Sequence, residues 1–327
     1  MRESIPGWQK KLAEGFSSAA ALLEYLHLPL SLANDLAETQ FRTRVPRGFA
    51  ARMQPKNRYD PLLLQVLAVD KELDWSEAFT TDPLREAAVI PIPGLIHKYH
   101  GRVLLTLTGV CAVNCRYCFR RHFPYQENNP GRLGWQSAID YVSQHDHIHE
   151  VILSGGDPLL AKDKVLSAVM SQLDAIPHVQ TLRIHTRIPV VLPERIDEHF
   201  ISLMASSRLH KVIVLHTNHP QELDDQVRGV CASLRHIGCH LLNQSVLLAG
   251  INDQAEVLAE LSERLFSFGV LPYYLHLLDR VQGAAHFDVA LDDAVMMFRQ
   301  LQGLLPGYLV PRLAREDAGQ KNKTLIV

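Results

Sequence analysis

From about residue 102 the chain alternates short apolar runs with helix-length amphipathic stretches, and this alternation constrains the fold more than any other feature. Strand-like runs lie at 103–107, 150–153, 181–185, 211–215, 240–248 and 271–276. Stretches near 134–145, 161–175, 194–207, 221–237, 254–268 and 290–304 carry helical periodicity between and after them. Parallel strands need a long crossover, which a helix supplies and a tight hairpin does not. Six strand-then-helix units therefore predict an α/β fold, either an open sheet or a partial barrel. Polar and glycine-rich residues fall just after the strands, where such folds place their chemistry.

The residues before this region predict a helical lead-in. Leu12, Phe16, Ala19, Leu22 and Leu23 recur at near-helical spacing, as do Leu62, Val66 and Leu67, while Pro46, Pro55, Pro61 and Pro83 cut the segment into short pieces. Three regions result: a helical N-terminal region at 1–95, the α/β part at 96–305, and a short basic tail at 306–327 in which no core-forming pattern is evident. Lys and Arg number 33 against 35 Asp and Glu, a formal net charge of −2, which argues against direct nucleic-acid binding. No apolar run approaches the ~18 residues of a transmembrane helix, and the first residues lack the apolar core of a signal peptide. A soluble cytoplasmic protein is expected.

Three of the five cysteines crowd into one segment after the first strand. Cys111, Cys115 and Cys118 follow the spacing C-x3-C-x2-C. An odd number of cysteines, closely spaced in a chain expected to stay in the cytoplasm, points to a metal or redox centre rather than a disulfide framework. Three thiolates can hold three irons of a four-iron cluster and leave the fourth open to another ligand. Zinc is the competing metal, but Cys231 and Cys239 lie far along the chain and form no second close pair of the kind structural zinc sites favour.

This cysteine motif, with Tyr117 before its last member, resembles the signature of the radical S-adenosylmethionine (SAM) superfamily. The resemblance implies a partial (β/α)6 barrel, a [4Fe–4S] cluster on the three cysteines, and SAM on the open iron as the source of a 5′-deoxyadenosyl radical. Ser154-Gly155-Gly156-Asp157-Pro158 matches the superfamily's segment for the methionyl amino group. His216-Thr-Asn-His219-Pro220, Asn243-Gln244-Ser245 and Arg187-Ile-Pro-Val-Val-Leu-Pro193 resemble the lysine 2,3-aminomutase family more specifically, in which His216 and Gln244 would lie near SAM.

That family also uses pyridoxal phosphate (PLP) on a lysine near the C-terminus. The match puts the Schiff base on Lys323, with Lys321 two residues away; fewer glycines precede this lysine here than is usual in the family. By the same resemblance Arg102 would meet the PLP phosphate, and Arg120 the substrate carboxylate, for which a planar guanidinium is suited. Arg121 is its immediate competitor. Asp279 and Glu316 would grip the substrate ε-ammonium, the second position carrying glutamate where the family has aspartate. Retaining two acids argues for a cationic substrate. Without the resemblance, Glu316 would read as a surface partner of Arg312 or Arg315, and Lys323 as a solvated lysine.

Chain length and the wording of residues 118–125 and 281–287 resemble the short branch of the family that serves elongation factor P. Membership implies conversion of (S)-α-lysine to (R)-β-lysine, a separate lysyl ligase acting on elongation factor P, and an external electron donor; a homo-oligomer is compatible with it. The alternatives are a free-lysine aminomutase of amino-acid metabolism, a radical SAM enzyme without PLP, and a non-enzymatic iron–sulfur or zinc module.

Overall fold

The six strand-forming runs expected of the α/β region are short, largely apolar and bounded by glycine, proline or polar residues, and each is followed by a helix with buried apolar residues. The computed structural model describes residues 6–125, 128 and 131–327, the side chains of 131–134 excepted. Its strands are β1 (Leu95–Tyr99), β2 (Arg102–Thr108), β3 (Glu150–Gly155), β4 (Thr181–Thr186), β5 (His210–His216), β6 (His240–Val246), β7 (Leu271–His276), β8 (Arg312–Arg315) and β9 (Thr324–Leu325). They form one nine-stranded sheet in chain order. β2 to β8 run parallel, while β1 and β9 are antiparallel additions at the two ends. The end strands do not pair with each other, so the sheet is an open, partial barrel.

The six expected strands correspond to β2–β7. Local chemistry explains the connecting helices. Asp163–Asp174 buries Leu166, Val169, Met170 and Leu173, a single helical stripe. Asp225–His236 is capped by Asp224, whose carboxylate accepts the Val227 N–H.

The tail departs from expectation. Residues 306–327 contribute β8 and β9, and Leu309, Leu313 and Ala314 are buried. Leu309 and Leu313 join a second apolar cluster with Leu275, Phe298 and Leu301. The four residues of β8 read Arg-Leu-Ala-Arg, too short a pattern to announce a strand; it forms because β7 offers an unpaired parallel edge. In the N-terminal region, Trp8, Phe16, Leu22, Leu23, Phe49 and Leu62 pack into the same core as the inner residues of β2–β6.

Candidate active site

The carboxyl ends of the parallel strands carry nearly all the polar side chains singled out above. After β2 the chain runs into the cysteine loop. Burial pushes the Cys111 thiol well above its ordinary value, and the neighbouring Cys118, Asp157 and Cys115 add to that rise. Cys118 is pushed up to about 11, by burial first and Cys115 second. The three cysteines are each partly exposed and lie on one loop, where iron would displace the thiol protons. Among the described residues no three His, Cys, Asp or Glu side chains converge on one metal ion; thiolates that each serve a different iron need not meet at a point.

Cys115 is tied into a buried polar network. Arg187, directly after β4, donates from Nη1 to Cys115 Sγ (2.7 Å) and the Tyr117 hydroxyl (3.0 Å), and from Nη2 to Gln65 Oε1 (2.7 Å) and Glu222 Oε2 (2.9 Å). The Asn218 amide donates to Tyr117 and Gln65. Glu222 is held below the usual carboxylate range: burial would raise it, but Arg187 outweighs that.

The loop Ser154–Pro158 packs directly on the cysteine loop. Gly156 N donates to Thr108 O (2.7 Å) and Asp157 N to Val110 O (2.9 Å). A Cβ on Gly156 would lie 2.5 Å from Val110 O, and one on Gly155, where φ is +113°, 2.8 Å from Thr108 O. In this structure the glycines make room for the cysteine loop itself. Asp157 is likewise committed to protein: its oxygens accept from the Thr186 hydroxyl and from the backbone N–H groups of Leu159, Arg187 and Ile188. It fastens the ends of β3 and β4 together.

His216, at the end of β5, has its ring 5.9 Å from that of Tyr117. Its pKa is lowered to about 3, by burial first and Arg187 second, and its Nε2 is buried with no partner among the described residues. A neutral imidazole with an orphaned nitrogen is chemically suited to a polar ligand in the barrel. Gln244 pairs in register with His216 and is half-buried.

Arg120 and Arg121 part company. Arg121 donates to Glu72 Oε2 (2.9 Å) and to the carbonyls of Arg116 and Gly283, a structural anchor. Arg120 pairs bidentately with Glu86 (2.8 and 2.6 Å) and reaches Ser154 Oγ (3.2 Å). Of five guanidinium donors, Glu86 takes two and Ser154 one, so two remain along the Nη1/Nη2 edge for a carboxylate.

On the open side of the barrel, Glu316 follows β8. Its Oε1 accepts from Lys98 Nζ and the Tyr99 hydroxyl, both at 2.7 Å, and its Oε2 from Lys323 Nζ. Burial would raise Glu316, yet Lys323, with the hydrogen bonds from Lys323, Lys98 and Tyr99, holds it well below the usual range. Arg315 pairs instead with Asp317. Asp279 is pushed up to about 7, by burial first and the Glu316 charge second; Lys323 and Lys98 pull the other way. Arg102 sits at the amino end of β2, yet its guanidinium lies 4.4 Å from the centre of the Tyr99 ring and so borders this group. Lys321 is exposed.

Residues 105–262 match the radical SAM superfamily, and whole-chain relatives narrow this further. The chain is 49% identical to the L-lysine 2,3-aminomutase of Haemophilus influenzae over 97% of its own length and 95% of that protein's. It is 50% identical to the L-lysine 2,3-aminomutase of Escherichia coli, covering 97% and 93%. The enzyme of the same name from Clostridium subterminale is 33% identical, covering 98% and 77%. This chain belongs to the lysine 2,3-aminomutase family.

It is therefore a radical SAM enzyme, and the superfamily's cofactors are a [4Fe–4S] cluster and SAM. Several residues of these aminomutase networks do not stand out in the sequence: Glu86, Lys98, Tyr99, Gln65 and Glu222. The first four precede the parallel strands, where no motif marks them. Arg187 and Tyr117 stand inside recognised segments, but nothing in their spacing announces the network that joins them to Cys115.

Proposed function

We propose that this chain is a PLP-dependent L-lysine 2,3-aminomutase whose β-lysine is destined for elongation factor P. The observation that carries the lysine reading is the grouping of Asp279, Glu316 and Lys323. Two acids in a largely desolvated place, one pushed up to about 7 by burial and the other's charge, are suited to an incoming cation.

In this reading Cys111, Cys115 and Cys118 hold the cluster, and His216, Gln244 and the Ser154–Asp157 loop line the SAM site. Lys323 would carry PLP, whose conjugated ring would supply delocalisation of an unpaired electron during the nitrogen shift. Its pairing with Glu316 and the exposure of Lys321 support Lys323 over its neighbour. Arg102 serves the PLP phosphate, and the free edge of Arg120 takes the substrate carboxylate. The chain's own work is positioning and exclusion of water, since the cofactors supply the bond chemistry. An external reductant is required.

No helix among the described residues is long and apolar enough to cross a membrane; a cytoplasmic location and any self-association belong to this proposal. Anaerobic reconstitution, followed by lysine, SAM, PLP and a reductant, is expected to yield β-lysine on chromatography; recovery of unchanged lysine beside cleaved SAM overturns the reading. The elongation factor P assignment follows the resemblance of residues 118–125 and 281–287 to that branch. In cells lacking their own aminomutase, this chain should restore the β-lysyl mass increment on elongation factor P. Free β-lysine without that increment would favour the amino-acid-metabolism alternative.

A further inference from the structure

We infer that Lys98 is a specificity-determining residue: it sets the charge of the Asp279–Glu316 site so that the site takes one ammonium group. The inference rests on the lysine reading above and adds the residue that tunes it.

The geometry comes first. Lys98 lies on β1, an antiparallel strand outside the parallel barrel, yet its ammonium reaches across the open side to Glu316 at 2.7 Å. The two side chains are only 12% and 16% exposed, so solvent screens the pair weakly. Glu316 faces Lys98 and Tyr99 from β1 and Lys323 from the tail. Asp279 forms no ion pair and no side-chain hydrogen bond among the described residues; Glu316, Lys323, Glu86 and Lys98 all act on it through space. His276, on β7, feels Lys323 and Glu316 and is kept neutral chiefly by burial.

The charges can then be counted. Asp279 and Glu316 supply two negative charges when ionised. Lys323 is an unreliable counter-ion, because an amine that attacks a carbonyl must do so uncharged. Lys98 contributes one positive charge, paired with Glu316 at 2.7 Å. The remainder is one negative charge, the complement of a single side-chain ammonium. Without Lys98, two carboxylates would share one substrate cation. The more buried of them, Asp279, would keep a proton through neutral pH rather than ionise beside Glu316.

The test measures binding, not turnover. Protein loaded with cluster and PLP, with SAM withheld, is titrated with lysine and with norleucine by calorimetry across about pH 6 to 9. The ratio of the two dissociation constants cancels the titration of the shared α-amino group. In the wild type this ratio should favour lysine, rise as Asp279 ionises and then level off, with a midpoint that the titration locates. Lys98→Met should move that midpoint upward by up to about one pH unit, a loss of lysine preference of up to about fivefold at pH 7. Lys98→Arg should restore the wild-type profile. Iron content and PLP absorbance unchanged in both variants show that the fold is intact. A Lys98→Met profile identical to wild type overturns the inference. A wild type that never prefers lysine to norleucine overturns the lysine reading instead, so the two failures are told apart.

Discussion

The cysteine loop and the Glu316–Lys323 site both depend on arginine or lysine paired with acid, but they are built to opposite ends. The cysteine loop is gripped from outside by the N-terminal region: Arg44 donates to Cys111 O and takes the Asn114 N–H on its own carbonyl, and Gln65 O accepts Arg116 N–H. Behind it, the Arg116–Glu72 and Arg187–Glu222 pairs are buried. At the other site, Lys323 is 26% exposed and stands just before a two-residue strand, and its partner Glu316 is shared with Lys98 and Tyr99. In the proposed reading a cluster needs its sulfur ligands held in position before the metal arrives, so permanent buried pairs serve it. In the same reading a substrate cation must displace something, so an exchangeable pair serves it better.

The comparison can be broken most severely at the thiols. Replacing Cys111, Cys115 or Cys118 with Ala should abolish SAM cleavage and make the cluster labile, because each thiolate serves a different iron. A variant with full iron content and normal 5′-deoxyadenosine formation contradicts this. Next is Arg187→Met, which leaves Glu222 buried without its cation and should cost roughly 3–5 kcal/mol of unfolding free energy in a denaturant titration. A loss under about 1 kcal/mol would mean that the network is not the rigid element described.

A third prediction concerns pH. The carboxyl of Asp279 rises from 3.8 to about 7 on folding. The folded state therefore holds this proton more tightly than the unfolded state, and stability is lost as pH climbs through that window. Asp279→Asn removes the titration. In the cofactor-free protein its stability advantage over wild type should be on the order of 2 kcal/mol larger at pH 8 than at pH 5. An equal difference at both pH values would show that Asp279 ionises freely. The smallest effect on stability is expected from Lys323→Ala, within about 1 kcal/mol, since Lys98 and Tyr99 still hold Glu316. The same variant should lose covalently bound PLP while retaining its iron.

Much of the barrel is legible in the sequence because strand and helix periods differ and each parallel strand from β2 to β7 is announced by its own apolar run. The cysteine loop is legible for a different reason: three thiols within eight residues suit a metal centre and little else. What stays hidden depends on contacts between distant segments. Glu86 meets Arg120 and Lys98 meets Glu316 only because the sheet curls, and no local pattern encodes that closure. Gly155 and Gly156 suggest room for a ligand; here they admit the backbone of the cysteine loop. The tail reads as coreless because β8 offers only Leu313 and Ala314 to the interior, and its strand exists by virtue of β7.

The central claim of the proposed function is that the rigid cluster end and the exchangeable lysine end serve one reaction. The direct test follows an isotope between them. Lysine carrying deuterium on its β-carbon is incubated anaerobically with the loaded enzyme, SAM and reductant, and the nucleoside is examined by mass spectrometry. Deuterium on the 5′ carbon of SAM or 5′-deoxyadenosine is the predicted result. Nucleoside that is cleaved yet free of deuterium would contradict it.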